Sequence, residues 1–207
     1  MNRITLYLQT FFRNVIPTFV VGFFFFTSCG PKAFVKGKYD DPQRENLLSD
    51  QWSETDMQKV VKDMIQSLVN HSSIHQAPKK PIIMVTRLQN KTSEHIDTQS
   101  IMDMVRVELS QSGKVMFVDK EAREDLDQEY EYQASGRVGS NKSGPGQQVG
   151  ADFILNGRLD SIVQEVGKDK SVYYKLTLNL TDLKTNLIVW TNQKEIRKLY
   201  KKKTIGL

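Results

Sequence analysis

Cysteine is almost missing from this 207-residue chain: Cys29 is the only one, so no internal disulfide can form. Histidine is scarce too, with His71, His75 and His95 alone. His71 and His75 stand one helical turn apart, but no Glu follows His71 as a zincin pair requires. No metal site is expected. Long apolar runs are also lacking. Residues 15–26 form a short one, broken by Pro17 and Gly22, which is too short and wrongly flanked for a membrane-spanning helix. There is no G-x-S-x-G, and no S-x-x-K tied to the other transpeptidase signatures. Carboxylates crowd residues 121–131, but a densely charged helical face is usually solvated, and no acid–base pair stands out. No catalytic residue stands out, and the chain is not expected to be a cross-linking transpeptidase; an enzyme acting on cell-wall glycan stays open as a rival reading. Gly136, Gly139, Gly144 and Gly146 fit neither a P-loop nor the dinucleotide fingerprint, so no cofactor is expected. Large charge of one sign is lacking as well. The formal net charge is +5, and the first 28 residues carry two of the cations, Arg3 and Arg13. Nucleic acid is not an expected partner.

What is present begins at Cys29. It follows an apolar run ending in Phe26-Thr27-Ser28 and precedes Gly30. That context resembles the lipobox of bacterial lipoproteins, in which the leader is cut before the cysteine and the thiol carries a diacylglycerol. The resemblance implies a signal peptide over residues 1–28, a lipidated N-terminus and short tether over 29–51, and a domain over 52–207. Cleavage would remove 28 of 207 residues and leave 179, with net charge +3. Two or three acyl chains, at about 0.8 kcal/mol per buried methylene, hold a protein firmly on a membrane. Asp often follows the cysteine of inner-membrane lipoproteins. Gly30 therefore fits the outer membrane, with the domain facing the periplasm. Residues 31–50, polar and holding Pro31, Gly37 and Pro42, read as the tether.

The rest has alternating signals. Met57, Val60, Val61, Met64, Ile65, Leu68 and Val69 make one apolar stripe, predicting a helix over 53–70 with Ser53 as its N-cap. Residues 82–85 read as a buried strand, and 98–112 as a second helix ended by Gly113. Residues 115–118 read as a second strand. Asp119 is expected to cap a third helix reaching about residue 133, and residues 136–146 form a surface loop. A short helix or turn is expected at 147–151. Strands are expected at 153–159, continuing over 161–166 after a bend, at 172–181 and at 187–190. The last three form an antiparallel meander. The basic tail, residues 194–203, reads as a frayed, solvated terminus. The fold class is α/β, an α+β sandwich: one domain with a mixed sheet of four to five strands and flanking helices.

Several segments resemble the LpoB family of penicillin-binding-protein activators. They are Leu48-Ser49-Asp50-Gln51-Trp52, the run from Asn90 through Lys91, Thr92, Ser93, Glu94, His95, Ile96 and Asp97 to Thr98, Gly150-Ala151-Asp152-Phe153-Ile154-Leu155-Asn156-Gly157, Leu180-Thr181-Asp182 and Val189-Trp190-Thr191. The resemblance implies a domain similar to the N-terminal domain of TolB. It also implies an outer-membrane lipoprotein that binds a class A penicillin-binding protein and activates peptidoglycan synthesis without chemistry of its own. This chain departs from such proteins in its short tether. Asn90, Lys91, Thr92, Glu94, His95 and Arg137 are the candidate partner-binding residues, on the ground that loops carry recognition. A surface-assembly or secretion lipoprotein, related to curli-assembly proteins, stands as the alternative.

Overall fold

A computed structural model describes residues 37–140 and 143–202; the leader, Cys29 and the last five residues lie outside that range. The element order is α1 (Glu54–Asn70), α2 (Ser72–His75), β1 (Ile82–Lys91), α3 (Thr98–Gln111), β2 (Met116–Phe117), α4 (Arg123–Tyr132), β3 (Phe153–Val166), β4 (Asp169–Asp182) and β5 (Ile188–Lys201). A five-stranded sheet runs β2-β1-β3-β4-β5. β1 is parallel to both neighbours, and β3, β4 and β5 are antiparallel, so the sheet is mixed, with the expected meander.

Helices α1 and α3 cover one face. Val61, Met64 and Leu68 of α1 and Ile101, Val105 and Leu109 of α3 pack with Leu155, Leu176, Leu178 and Leu180 of the sheet. Both helices are capped by their own sequence. Ser53 and Asp56 form a capping box at α1, and Asp97 accepts from Gln99 and Ser100 N–H groups at α3. Gly113 takes φ +65° after α3, as the C′ expectation requires.

The family-like segments turn out to shape the chain. The Asp152 carboxylate accepts the Ile82 N–H at 3.0 Å, which pins the start of β3 beside β1. Asp182 accepts from the Lys184 and Thr185 N–H groups at 2.8 and 2.9 Å in the β4–β5 turn, and those bonds lower its carboxyl pKa, the Thr185 N–H most. At Gly157 the strands approach so closely that a Cβ would stand 2.3 Å from the Thr177 carbonyl oxygen. The register of β1 shifts between Val85 and Leu88, opposite this glycine.

Several expectations change. β1 does not stop at residue 85 but runs to Lys91, so Asn90 and Lys91 end a strand instead of opening a loop. Asp119 does not cap α4. Ala122 is the N-cap residue, and Asp119 instead accepts from the Glu121 and Ala122 N–H groups in the preceding turn. α4 buries none of its residues and passes into one π-type turn, Gln133–Arg137, with Gly136 left-handed at φ 84°. Residues 147–151 are irregular instead of helical. β3 is continuous, with no bend between residues 159 and 161. The basic tail is not frayed: β5 continues to Lys201, paired with β4 to the end. Its inward phase carries Lys194, Ile196 and Lys198, and the lysines are neutralised by α1 through Asp63 and Asp56. The sheet's edges are protected, since β2 has only two residues and β5 is rich in lysine.

Candidate interaction site

The sequence before α1 is polar, yet it does not leave the domain at once. Residues 42–51, at the end of the expected tether, lie along α1 and the strand ends as a strap; the compact unit begins at Asp41. Gln58 donates to the Pro42 carbonyl at 3.1 Å, and Lys59 pairs with Glu45 at 2.7 Å. The Asn46 N–H donates to Thr55 Oγ1 at 2.9 Å. Further along, Tyr200 donates to the Ser49 carbonyl and Lys170 pairs with Asp50. The Lys170 ammonium holds the Asp50 carboxyl below its ordinary range. Asp50 in turn raises the lysine.

The strap ends over a buried polar cluster. Lys198 points inward from β5, Asp56 lies in the first turn of α1, and their side chains are 3% and 4% exposed. Lys198 Nζ is 2.6 Å from Asp56 Oδ2 and donates to the Gln51 carbonyl at 2.6 Å. Asp56 also accepts from the Ser53 N–H and Oγ at 2.9 and 3.0 Å. A carboxylate at a helix N-terminus is favourable, and here it also neutralises a buried ammonium. Next to this pair, Tyr174 donates to Glu94, whose other oxygen accepts the Trp52 N–H at 2.9 Å. Burial first, and then the Glu94 bond, raise the Tyr174 phenol far above its ordinary pKa. The Trp52 ring meets Tyr174 edge-on, with centroids 5.3 Å apart at 70°.

Outside the cluster opens a cleft of about 630 Å³ between Gln51-Trp52-Ser53, Met57 and the loop of residues 93–97. Trp52, Met57 and Ile96 give it an apolar floor, while Glu94 and His95 line its rim. Glu94 is bonded through both oxygens, to the Tyr174 hydroxyl and to the Trp52 N–H.

The structure brings together only some of the sequence-predicted site residues. Glu94 and His95 share the cleft. Asn90 and Thr92 shape the loop: Asn90 donates to the Glu94 carbonyl at 2.8 Å and accepts from the Thr92 N–H at 2.9 Å. Lys91 is exposed at the end of β1. Arg137 stands after α4 with its guanidinium 5.4 Å from the Tyr132 ring centre, and is not part of the cleft. Tyr174, Lys198 and Asp56 are not among the site residues the sequence suggests. The one signal was a lysine on the inward phase of β5, hidden in a basic run. His71 has a local role, accepting the Ser73 N–H at 3.3 Å. Among the described residues, no cluster of three or more metal-binding side chains occurs. Cys29 lies outside the described residues.

The family described as peptidoglycan-synthase activator LpoB matches residues 56–196, from the first turn of α1 to Ile196 in β5. The chain is similar to the LpoB C-terminal domain from Salmonella enterica at 15% identity, covering 69% of this chain and 99% of that one, with a TM-score of 0.46. It is similar to Escherichia coli LpoB at 15% identity, over 85% of this chain and 89% of that one, with a TM-score of 0.43. Lipoprotein GNA1162 from Neisseria meningitidis is 16% identical over 57% of this chain and 83% of its own, with a TM-score of 0.39. No curated protein matches the chain.

Proposed function

This chain belongs to the LpoB family of peptidoglycan-synthase activators, and from that premise we propose that it is a non-enzymatic lipoprotein that binds and activates a class A penicillin-binding protein. In this reading Cys29 is acylated, the protein sits in the outer membrane facing the periplasm, and the domain works on a partner anchored elsewhere. The family match over residues 56–196 is the observation that carries the reading. Glu94, the cleft carboxylate held through both oxygens, supports a binding role over a chemical one.

Activation needs differential affinity. An activator shifts a synthase toward its active state only by as much as it binds that state more tightly, and a tenfold shift takes about 1.4 kcal/mol. Tethering adds effective concentration within reach of the anchor and removes it beyond that reach. The test uses the mature lipidated chain in detergent with the class A synthase from the same cell. Glycan polymerisation and peptide cross-linking should rise several-fold when the chain is added. No stimulation at saturating chain overturns the reading. Labelled fatty acid should enter the wild-type protein and not a Cys29→Ala variant; label in both would refute the anchor.

A further inference from the structure

The outer face of β3, β4 and β5, away from the helices, is not uniform. Strand pairing places its residues in rows of three. Toward the β4–β5 turn the rows are Asn156, Asn179 and Thr191, then Arg158, Thr177 and Gln193. These are polar, as suits an antiparallel face covered only by water. Toward the β3–β4 turn the character reverses. Ile162, Tyr173 and Arg197 form one row, and Gln164, Ser171 and Leu199 the next. Val166 lies beyond Gln164 on the same face. Ile162, Val166 and Leu199 are 57%, 79% and 76% exposed. The Arg197 guanidinium lies over the Tyr173 ring, 5.8 Å from its centre. Gln164, Val166, Ser171 and Leu199 line a concavity of about 600 Å³.

We propose that this end of the outer face is the docking surface for a folded protein domain with an apolar centre flanked by carboxylates. Resting on the function proposed above, that domain belongs to the synthase. Three strands about 4.8 Å apart, over three rows about 6.8 Å apart, make a patch on the order of 300 Å². A patch of about that size is often functional, and an interface burying roughly 800 Å² per partner would extend beyond it onto the polar rim. Tyr173 and Arg197 are of the residue types enriched at interface centres, and Ile162, Val166 and Leu199 add apolar area around them. Arg197 asks for a carboxylate opposite it, while Lys201 pairs with Asp169 across the strands at 3.8 Å. In the neighbouring row Lys175 stands between Glu195 and Asp160, the latter paired with Arg158 at 3.0 Å, so the charges alternate across the face. Alternating charge of this kind fixes the orientation of a protein partner. It disfavours an anionic lipid surface, which those carboxylates would repel.

The strap gives the surface its backing. On the inner side of the same strand ends, Lys170 and Tyr200 are held by Asp50 and Ser49. The strands there are clamped from behind, which lowers the ordering cost of docking on their front.

The test measures binding of the mature lipidated chain, in detergent, to the purified class A synthase. Leu199→Asn and Arg197→Glu should each weaken binding at least tenfold. Thr191→Lys and Gln193→Lys, on the polar half of the same face, should change it less than twofold. Unchanged thermal midpoints confirm that the fold is intact, and Arg197→Ala, a milder change, should still weaken binding several-fold. Wild-type affinity in the Leu199 and Arg197 variants overturns the docking surface while leaving the function standing. No binding by the wild type overturns the function and this partner together. Vesicles of phosphatidylglycerol and phosphatidylethanolamine provide a last arm. Binding to them that Leu199→Asn abolishes would mark a lipid surface and refute protein docking.

Discussion

Replacing Lys198 by Met tests the buried cluster most directly. The ammonium is nearly inaccessible and lies 2.6 Å from both Asp56 Oδ2 and the Gln51 carbonyl oxygen. Met preserves most of the packing volume of the stem and removes the charge. Asp56 is then a buried carboxylate with only the Ser53 N–H and hydroxyl as donors. Breaking one side of a buried pair costs about 3–5 kcal/mol. The Gln51 carbonyl also loses its donor, worth about 1 kcal/mol. Against a total stability of about 5–15 kcal/mol this is a large fraction. With a urea m-value near 2 kcal/mol/M, the midpoint should fall by about 2–3 M. Trp52, beside the cluster, and Trp190, in the core, report the transition by fluorescence. The double variant Asp56→Asn, Lys198→Met removes both charges and should recover to within about 1–2 kcal/mol of wild type. A single-variant loss under about 1 kcal/mol, or a double variant no better than the single, refutes the reasoning.

Gly157→Ala should cost about 1–3 kcal/mol in the same assay, because its Cβ would overlap the Thr177 carbonyl and Leu178; a neutral result would mean the strands separate freely there. The strap should respond to pH at its ends. Asp50's folded pKa is lowered by Lys170, so its contribution is present above the unfolded value near 4 and is lost as pH falls through the lower folded one. Lys170's is raised, so its contribution is present below the unfolded lysine value and is lost as pH rises through the folded one. Trp52 fluorescence should therefore be level between about pH 5 and 9 and change below about pH 4, and Asp50→Asn should flatten the acid limb. α4 has ten residues, none buried, and is too short to be stable unaided, so its amides should exchange far faster than those of α1; equal protection would show that something covers it.

The inner face of β4 was plain in the sequence because Tyr174, Leu176, Leu178 and Leu180 alternate and all are buried. β5 was half hidden for a physical reason. Past Trp190 its inward positions are Asn192, Lys194, Ile196 and Lys198, so burial there follows charge pairing with α1 and not hydrophobicity. β1 looked short because its register shift near Thr86 breaks the alternation. The loop at Glu94 was visible as a motif, but Tyr174 and Lys198 lie about 80 and 100 residues further on. Only the strand order brings them to it. The strap was invisible because its anchors are polar side chains on elements far along the chain, and a polar, proline-containing stretch carries no sign of where it lands.

A pull applied to the chain ahead of residue 41 meets the strap end-on. Its bonds to Lys59, Thr55, Tyr200, Lys170 and Lys198 then load one after another, as in opening a zip. The first of them are exposed pairs, weak when loaded singly. The strands behind are cross-linked along their whole length and load together. Tension therefore frees ten residues, at most about 35 Å of extended chain, before any core strand moves. Under such a pull the strap yields first and the sheet last.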